Sequence, residues 1–384
     1  MGRTHAVVLG AGRVGGAIVR DLAGDSAWTV SVADLSQDAL AALAALPAVT
    51  TTVADLSRPE EVRRVVADAD LVIGAVPGFM GFETAATVID AGVDLVDISF
   101  FEEDPFRLDA AARKQGVTVL IDCGVAPGCG NMILGHLSTE LDDIDTFVCM
   151  VGGLPTVRRW PYEYAAVFSP LDVIEEYTRP ARLVEHGEIV VRPALSEIEL
   201  VDLPGVGTLE AFNSDGLRTL LTTMKVPWMK EKTLRYPGHA ERMSVLRETG
   251  FFSQSSVDVG GVTIRPLDLT AQLLIDSWRL GPDEQDLTVM RIEVTGRRDG
   301  RRVRLLYDLL DRFDTESRVT SMARTTGYTC TAVARAVAGG HYRSAGVSAP
   351  ETLGCDSRAF DLVMADLARH GVSFTAREET LDGE

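Results

Sequence analysis

One glycine-rich turn near the N-terminus constrains the fold of this chain more than any other feature. The apolar run His5–Leu9 predicts a buried strand, and Gly10-Ala11-Gly12-Arg13-Val14-Gly15 follows it at once. A helical pattern then continues to about Gly24. In such a strand–turn–helix, the first glycine permits the tight turn, the second admits a ligand to the backbone, and the third lets helix and strand pack closely. Because amides at the helix N-terminus can receive phosphate charge, the segment predicts a dinucleotide-binding turn rather than an ordinary glycine turn of another α/β fold.

An acidic residue ends the second predicted strand, Trp28–Ala33. Asp34 follows Gly12 at about the 20-residue spacing at which a carboxylate meets the ribose hydroxyls of a dinucleotide. A carboxylate there would repel the 2′-phosphate of NADP, and no arginine occurs in Leu35-Ser36-Gln37. The sequence therefore favours NAD over NADP. The alternative is that Asp34 only caps the next predicted helix, Gln37–Leu46.

The first third of the chain continues to alternate apolar runs with helical patterns. Further strands are predicted at Thr50–Val53, Leu71–Val76, Val93–Ile98 and Val117–Ile121, and further helices at Pro59–Ala67, Glu83–Ala91 and Pro105–Gln115. This alternation is typical of a doubly wound parallel sheet, a Rossmann domain, which binds ligands at the carboxyl ends of its strands. The predicted cofactor-binding residues are accordingly Gly10, Ala11, Gly12, Arg13, Val14, Gly15, Asp34, Asp55, Ala75, Val76, Pro77 and Ser99.

Beyond Asp122 the pattern changes, and a predicted helix, Cys129–Leu141, leads into more widely separated, alternating strands. These are predicted at Thr146–Val151, Glu188–Val191, Ile198–Val201, Leu287–Gly296 and Arg302–Asp308, with Arg297-Arg298-Asp299-Gly300 joining the last two as a hairpin. Such alternation predicts an antiparallel or mixed sheet covered on one face, with Pro170–Tyr177, His239–Glu248 and Pro266–Arg279 as the covering helices. We predict a Rossmann domain at 1–124, a mixed α/β substrate or dimerisation domain at 125–324, and a C-terminal segment at 325–384 that packs back on the first domain through helices Thr329–Ala338 and Ala359–Ala368.

Composition limits the classes of partner and compartment. The formal net charge of −19 makes nucleic acids and anionic membranes poor partners, because a binder of phosphates needs a basic face. Five cysteines without a Cys-x-x-Cys pair do not suggest a disulfide framework or a zinc site, and no metal site is predicted. The sequence has neither a charged-then-apolar leader nor an apolar run near the ~20 residues that span a bilayer, so a cytoplasmic location is expected.

Five ordered segments carry a resemblance to a known superfamily. They are Asp122-Cys-Gly-Val-Ala-Pro-Gly128, Gly152-Gly153-Leu-Pro155, Phe168-Ser169 through Glu176-Tyr177, Glu210-Ala-Phe-Asn213-Ser-Asp215-Gly216, and Thr233-Leu-Arg235-Tyr-Pro237-Gly238-His239. Together they resemble the saccharopine dehydrogenase / lysine 6-dehydrogenase superfamily, and the chain is most similar to bacterial L-lysine 6-dehydrogenases. Saccharopine reductases usually have Leu-Asp-Pro-Gly where this chain has Val125-Ala126-Pro127-Gly128, so Ala126 counts against a saccharopine activity.

The resemblance implies a Rossmann domain with an inserted α/β domain and C-terminal helices that return to the first domain. It also implies NAD-dependent oxidative deamination of the ε-amine of L-lysine, or of a close diamino acid, to the semialdehyde and ammonia. Such a reaction needs a proton acceptor, because an alkylammonium with a pKa near 10.4 has no lone pair to expel a hydride. It also needs an arginine for the α-carboxylate and a carboxylate for the α-ammonium.

Candidate residues for these roles follow from their positions. Asp122, at the end of the sixth strand, and His239, because histidine titrates in a useful range and could relay protons near the substrate, are the predicted catalytic residues. Arg235 is the predicted carboxylate ligand, and the other predicted substrate-binding residues are Glu210, Asn213, Asp215, Tyr164, Phe168 and Gly153. We expect Glu210, Asn213 and Asp215 to share one loop that leads into a helix. The structural alternatives are a helix cap or backbone brace for Asp122 and an N-cap or a satisfied interior histidine for His239. They are simple capping for the Glu210 cluster, a surface strand position for Arg235, and core packing for the two aromatic residues Tyr164 and Phe168.

Two other functions remain open from the sequence. An opine- or saccharopine-type reductase, which joins an amino acid to a carbonyl compound, needs a pocket for a second acid, and Arg158, Arg159, Arg179 and Arg182 could line it. A scaffold or sensor would bind NAD without turnover. The predicted strands of the second domain also lead us to expect a homodimer or a higher homo-oligomer, paired across a two-fold axis.

Overall fold

The computed structural model describes residues 2–165, 170–281 and 284–381, and the side chains of 170–172 lie outside its description. The chain forms two compact units. The first comprises the chain up to Thr139 together with Ala323–Val372, and the second comprises Glu140–Met322 and the chain from Ser373 onward. The predicted domains, 1–124, 125–324 and 325–384, differ in two places: the helix after Gly128 belongs to the first unit, and the last strand belongs to the second.

The first unit opens with the predicted alternation of strands and helices. Its strands are β1 (Thr4–Leu9), β2 (Trp28–Asp34), β3 (Val49–Val53), β4 (Leu71–Gly74), β5 (Asp94–Asp97) and β6 (Thr118–Leu120). Its helices are α1 (Arg13–Ala23), α2 (Gln37–Ala41), α3 (Pro59–Val66), α4 (Gly78–Asp90), α5 (Asp109–Gln115), which follows a 3₁₀ turn at Pro105–Leu108, and α6 (Cys129–Glu140). The predicted helix Gln37–Leu46 ends early, at Ala41, and residues 42–45 form turns instead.

The second unit contains more strands than the sequence predicted. They are β7 (Asp143–Pro155), β8 (Ala181–Glu185), β9 (Glu188–Arg192), β10 (Glu199–Leu203), β11 (Gly207–Asn213), β12 (Trp228–Arg235), β13 (Val257–Val259), β14 (Val262–Ile264), β15 (Asp286–Arg298) and β16 (Arg301–Arg312). Its helices are α7 (Pro170–Thr178), α8 (Leu220–Thr223), α9 (His239–Thr249) and α10 (Pro266–Trp278). The predicted hairpin is confirmed: β15 and β16 pair in register around Asp299 and Gly300, which both have positive φ.

The chain then returns to the first unit and ends in the second. The returning elements are α11 (Ser321–Ala338), β17 (Gly346–Ser348), α12 (Pro350–Gly354) and α13 (Ser357–Arg369), and the final strand is β18 (Phe374–Thr380). The three-residue strand β17 pairs in parallel with β6, which makes the sheet one strand wider than predicted. Strand β18 instead pairs with β16, so the predicted C-terminal segment packs on the first unit only as far as Val372.

Sheet topology confirms the predicted fold class. The first sheet has seven strands in the order β17-β6-β5-β4-β1-β2-β3, all parallel, with the glycine turn after the inner strand β1. The second sheet has nine strands in the order β10-β11-β12-β7-β15-β16-β18, with β8 and β9 attached beside β12. It is mixed, because β12 runs parallel to β7 whereas its other pairs are antiparallel. Helices α7, α9 and α10 pack together on it through buried side chains that include Ile174, Phe212, Met243 and Trp278.

A buried charge cluster fastens the returning helices to the glycine-turn helix α1. The guanidinium of Arg335 in α11 donates to Asp21 of α1 and to Asp366 of α13, each at 2.9 Å. The His370 ring lies 2.7 Å from the second Asp21 oxygen. Burial alone would raise the pKa of Asp21, but the hydrogen bond from His370 and the charge of Arg335 outweigh it and lower this pKa to about 2. The same hydrogen bond raises the pKa of His370 above its ordinary value, against the opposing effect of burial.

His370 therefore makes stability depend on pH. A folded-state pKa that exceeds the unfolded value of about 6.5 stabilises the fold at low pH, and this contribution is lost as pH rises through the raised pKa. We expect His370→Asn to lower the free energy of unfolding more at pH 5.5 than at pH 9, by a difference of up to about 1 kcal/mol because solvent screens the half-buried ring. Thermal unfolding at both pH values measures this, with His341→Asn as the matched histidine control. An equal loss at both pH values would show that the His370–Asp21 contact does not depend on charge.

Candidate functional site

The glycine turn after β1 is closely packed at two of its glycines and open at the third. A Cβ on Gly10, whose φ is +113°, would stand 2.4 Å from the Ala75 carbonyl oxygen, and one on Gly15 would stand 2.1 Å from the Gly10 carbonyl oxygen. A Cβ on Gly12 would meet nothing within 4 Å. Gly12 is also the N-cap of α1, and no side chain of the described residues caps the helix there. The turn thus offers open backbone and a helix N-terminus where a pyrophosphate needs both, so the residues fit the predicted dinucleotide.

Asp34 is tied directly to that turn. One carboxylate oxygen accepts a hydrogen bond from the Ala11 amide at 2.6 Å, and the other accepts one from the Ser36 amide at 2.7 Å. The alternative role of helix cap falls to Ser36, whose hydroxyl accepts from the Ala39 amide at the start of α2. Asp34 therefore places a half-exposed carboxylate against the glycine turn, with lone pairs left for ribose hydroxyls.

Some of the other predicted cofactor residues pack beside the glycine turn, and others form hydrogen bonds with residues next to them in the sequence. Ala75 supplies the carbonyl that Gly10 packs against, and its amide donates to Leu9. Pro77 is the N-cap of α4, and Val76 is buried beside it. Asp55 accepts hydrogen bonds from the amide and hydroxyl of Ser57, which lower its pKa, so it braces the turn before α3.

Two buried carboxylates, Asp97 and Asp122, stand at the ends of the neighbouring strands β5 and β6. Asp97 accepts from the Ser99 amide at 2.7 Å and from the Ser99 hydroxyl at 3.1 Å, so the predicted cofactor residue Ser99 is already engaged. A Cβ on Gly74 would stand 1.8 Å from an Asp97 oxygen, so this position requires glycine. Asp122 is buried and has a φ of +56°, and the next amide, of Cys123, donates to the Asp97 carbonyl. The predicted proton acceptor Asp122 thus lies beyond the carboxyl end of β6, and ligands of parallel sheets bind at the carboxyl ends of the strands.

The Asp122–Gly128 segment of the resemblance forms a closed loop. Gly124 and Gly128 make a β-bridge, and a Cβ on Gly128, whose φ is +138°, would stand 1.8 Å from the Gly124 carbonyl oxygen. Asn131 accepts from the Gly128 amide and donates to Glu351 at 3.0 Å. The glycines of this segment are therefore needed for packing, and Ala126 lies inside a loop that Asn131 holds from α6.

Arg235 is the centre of a buried polar network in the second unit. It is 2% exposed, its guanidinium forms an ion pair with Glu176, and it donates to the Leu234 carbonyl at 2.9 Å. Its guanidinium carbon also lies 4.6 Å from the centre of the Tyr164 ring. Burial would lower its pKa, but the Glu176 carboxylate outweighs burial and raises it. Arg235 is thus not the surface strand residue of the structural alternative, and a substrate carboxylate would have to share the guanidinium with Glu176.

His239 does not titrate in the range that the sequence analysis assumed. Its Nδ1 lies 2.9 Å from the Tyr162 carbonyl oxygen and its Nε2 lies 2.9 Å from the Tyr177 hydroxyl. Burial, together with the positive charge of Arg235, lowers its pKa to about 3. The ring therefore stays neutral at physiological pH, and its two engaged nitrogens agree with the alternative of a satisfied interior histidine.

Glu210, Asn213 and Asp215 do not share one loop, as the sequence had suggested. Glu210 and Asn213 lie in strand β11, where the Glu210 carboxylate caps α9 by accepting from the amides of Gly238 at 2.7 Å and Ala240 at 2.5 Å. Asn213 donates to the Ser196 hydroxyl at 3.1 Å. Asp215 follows the strand and forms a bidentate ion pair with Arg182. Period-two alternation in this segment was hidden because its polar residues are buried on both faces.

Of the other predicted substrate-binding residues, the structure describes Tyr164 and Gly153. Tyr164 is buried against Trp278 and Arg235, and its hydroxyl has no partner among the described residues. Gly153 pairs with Thr288 in the centre of the second sheet, where β7 and β15 meet. Phe168 lies outside the described residues.

Glu231 is a perturbed carboxyl group that the sequence analysis missed. It lies in β12, where burial and the nearby carboxylates of Glu176 and Asp215 raise its pKa to about 8 despite the hydrogen bond from Ser214 at 2.6 Å. A buried carboxyl that carries a proton near neutral pH is a candidate acid. Lys-Glu-Lys in β12 resembles an exposed segment, so only the fold reveals its burial.

A cavity of about 400 Å³ lies within the second unit. Its lining combines aromatic and charged residues, among them Arg159, Trp160, Tyr162, Tyr164, Arg279 and Glu284. Arg159 forms an ion pair with Glu284 across this lining. Among the described residues, no group of three or more His, Cys, Asp or Glu side chains could hold a metal ion, and no helix is long and apolar enough to cross a membrane.

Two family models together match nearly the whole chain. Residues 6–120 match the model described as the saccharopine dehydrogenase NADP binding domain. Residues 124–372 match the model described as the saccharopine dehydrogenase C-terminal domain.

Curated relatives carry names from the same group of enzymes. The alpha-aminoadipic semialdehyde synthase of Arabidopsis thaliana is 25% identical over 53% of this chain and 21% of that protein, and the mitochondrial enzyme of the same name from Rattus norvegicus is 24% identical over 70% of this chain and 31% of that protein. The NADP-dependent, L-glutamate-forming saccharopine dehydrogenase of Pyricularia oryzae is 26% identical over 49% of this chain and 44% of that protein. The chain thus spans less than half the length of these relatives.

A solved structure has the same fold. The apo saccharopine dehydrogenase (L-Glu forming) from Saccharomyces cerevisiae superposes with a TM-score of 0.82 at 18% sequence identity, over 98% of this chain and 100% of that chain. At this identity the likeness establishes the fold alone.

Substitutions at Gly12 and at Gly15 should have different effects, one on NAD binding and the other on stability. We expect Gly15→Ala to destabilise the protein by about 1–3 kcal/mol, because its Cβ would overlap the Gly10 carbonyl. Gly12→Ala should change stability by less than about 1 kcal/mol and weaken NAD binding at least tenfold, because its Cβ enters the open space of the turn. Melting temperatures with and without NAD measure both effects. Undiminished NAD binding by Gly12→Ala would place the dinucleotide elsewhere.

Proposed function

The chain belongs to the saccharopine dehydrogenase family, and from this premise we propose that it is an NAD-dependent oxidoreductase that removes a hydride from a carbon bearing nitrogen in an amino acid. The observation that carries the proposal is the hydrogen bond from the Ala11 amide to Asp34, which sets a carboxylate against an open glycine turn. When bound, the nicotinamide of the dinucleotide accepts the hydride.

We propose NAD as the cofactor, although the matching family model is named for NADP. A 2′-phosphate beside Asp34 would bring two negative groups together in a partly dehydrated site, where charge repulsion exceeds its value in water. No arginine follows in Leu35-Ser36-Gln37 to compensate. Ribose hydroxyls, by contrast, can donate to the carboxylate.

We propose L-lysine, or a close diamino acid, as the substrate, with oxidation at its ε-carbon. Lysine deamination and the L-glutamate-forming cleavage of saccharopine both remove a hydride at this carbon, and they differ in whether the nitrogen is free or substituted. Ala126, which replaces the acid usual in saccharopine reductases, supports the free amine. Asp122 is the proposed proton acceptor, because it is a carboxylate at the carboxyl ends of the parallel strands, whereas both ring nitrogens of His239 are engaged by Tyr162 and Tyr177.

A saccharopine-type reaction is the second candidate, and the cavity of the second unit favours it. A substrate with a second acid needs additional cations, and Arg159 and Arg279 both line this cavity beside aromatic side chains. The other arginines considered are paired elsewhere: Arg158 with Glu163, Arg179 with Glu175 and Arg182 with Asp215. The names of the curated relatives point the same way.

Absorbance of reduced nicotinamide tests these proposals. Purified protein with NAD and L-lysine should show a lysine-dependent rise that grows with pH, since more of the ε-amine is deprotonated towards its pKa of about 10.4. Asp34→Ser should improve the ratio of NADP to NAD activity at least about tenfold by removing the charge repulsion. Asp38→Ser, which removes an exposed carboxylate of α2, is the matched control and should leave the ratio unchanged.

Different negative results would contradict different parts of the proposal. A rise with saccharopine and none with lysine would favour the second candidate. No rise with any substrate, while NAD still raises the melting temperature, would indicate a nucleotide-binding scaffold or sensor. No thermal shift with NAD or NADP would remove the cofactor assignment itself.

A further inference from the structure

Several large apolar side chains of the first unit are exposed at the same edge of its parallel sheet. Within residues 2–120, the large apolar side chains that are exposed are those of Leu35, Val53, Phe79 and Phe100. Leu35 follows β2, Val53 ends β3, and Phe79 and Phe100 lie in the segments that follow β4 and β5. A single exposed apolar residue is ordinary, but these residues are grouped at the carboxyl ends of the strands, where a parallel sheet binds its ligands.

Asp34 gives this edge of the sheet a direction. Leu35 is the next residue in the chain, and Val53 pairs with Asp34 in the register of β2 and β3. Strands β4 and β5 lie on the other side of β1. Under the proposed function, on which this inference rests, Asp34 binds the adenosine ribose and the glycine turn after β1 binds the pyrophosphate. The nicotinamide half of the dinucleotide then extends over the ends of β4 and β5.

The spacing of the strands agrees with this direction. Neighbouring strands lie about 4.8 Å apart, so the ends of β4 and β5 are about 5 and about 10 Å from the end of β1. The close approach of Gly10 to the Ala75 carbonyl also fixes the segment after β4 against the glycine turn. Only one ribose separates the pyrophosphate from the nicotinamide. The ring therefore reaches the segment that carries Phe79.

The backbone that carries Phe79 is held in place although its side chain is exposed. A Cβ on Gly78 would stand 2.3 Å from the Phe100 carbonyl oxygen, and a Cβ on Gly81 would stand 2.7 Å from the Phe101 ring. The first turn of α4 therefore packs directly on the segment after β5. Phe101 is fully buried in that segment, whereas Phe79 is 88% exposed. A fixed backbone thus presents an uncovered aromatic ring to the ligand-binding edge.

We propose that Phe79 is the apolar wall on which the nicotinamide ring stacks, that Phe100 extends this apolar surface over the end of β5, and that Leu35 and Val53 contact the adenine. The nicotinamide ring is planar and aromatic, so one of its faces can stack on an aromatic side chain while the other face is left for the substrate. A wall of this kind keeps water from the stacked face and holds the ring in the orientation that hydride transfer needs.

Binding of NAD and of ADP-ribose, which lacks the nicotinamide, tests this assignment by isothermal titration calorimetry on the full chain. Phe79→Ala should raise the Kd for NAD about tenfold and leave the Kd for ADP-ribose unchanged, because only NAD loses a stacked ring. Phe79→Tyr, which keeps an aromatic ring, should retain the affinity for NAD. Leu35→Ala should raise both Kd values by the same factor, because both ligands contain the adenine. Leu362→Ala, which removes an exposed apolar side chain from α13, is the control and should change neither.

The two ligands separate failure of this inference from failure of the proposed function. If the parent chain binds both ligands and Phe79→Ala binds NAD as tightly as the parent, the inference is overturned and the cofactor assignment stands. Equal losses of NAD and ADP-ribose affinity in Phe79→Ala would place Phe79 on the part that the ligands share, which also overturns it. A parent chain that binds neither ligand overturns the cofactor assignment and this inference together. An unchanged melting temperature of Phe79→Ala without ligand excludes misfolding as the cause of lost binding.

Discussion

The close packing of the glycine turn on its neighbouring strand end is the constraint on which the first unit depends. Gly10 and Gly15 have no room for a Cβ because the backbones of Ala75 and Gly10 occupy that space. This contact brings the end of β1, the start of α1 and the loop after β4 together, and leaves Gly12 facing open space. The Ala11 amide is then positioned to bind Asp34 from β2. A nucleotide site thus results from sterics of the backbone more than from any single polar side chain.

The second unit depends on a different interaction, the ion pair between the buried Arg235 and Glu176. Removing Arg235 from water is unfavourable unless its charge is compensated, and Glu176 and the Leu234 carbonyl do so. The same charge helps to keep His239 neutral, while Glu210 satisfies the amides at the start of α9. The network therefore orders three elements, α7, α9 and β12, through these contacts. Such a network preorganises a site, and it also means that several residues with catalytic chemistry are occupied by structural contacts.

Family membership identifies the type of each unit, whereas individual side chains determine the cofactor preference and the substrate. The matched models identify a dinucleotide-binding unit and a saccharopine dehydrogenase C-terminal unit, whereas cofactor preference and the nitrogen substituent of the substrate depend on a few side chains. Asp34 and Ala126 bear on these two choices, and the Arg159–Glu284 cavity bears on the second. Differences of one carboxylate or one methylene are worth a few kcal/mol, which is too little to leave a trace in the overall fold.

The sequence by itself determined the glycine turn, the parallel sheet around it, helices α7, α9 and α10 of the second unit and the β15–β16 hairpin, because each follows from local sterics or from hydrophobic periodicity within a short segment. Only the tertiary structure decided the state of His239, the capping role of Glu210, the burial of Glu231 and the strands β12 and β17. The reason is that these properties depend on partners far away in the chain: Arg235 and Glu176 are 59 positions apart, and His239 and Tyr177 are 62 apart. A charged segment such as Lys230-Glu231-Lys232 carries no local sign of burial, since its hydrogen-bonding partners include Ser214 and Glu197, which are distant in the sequence.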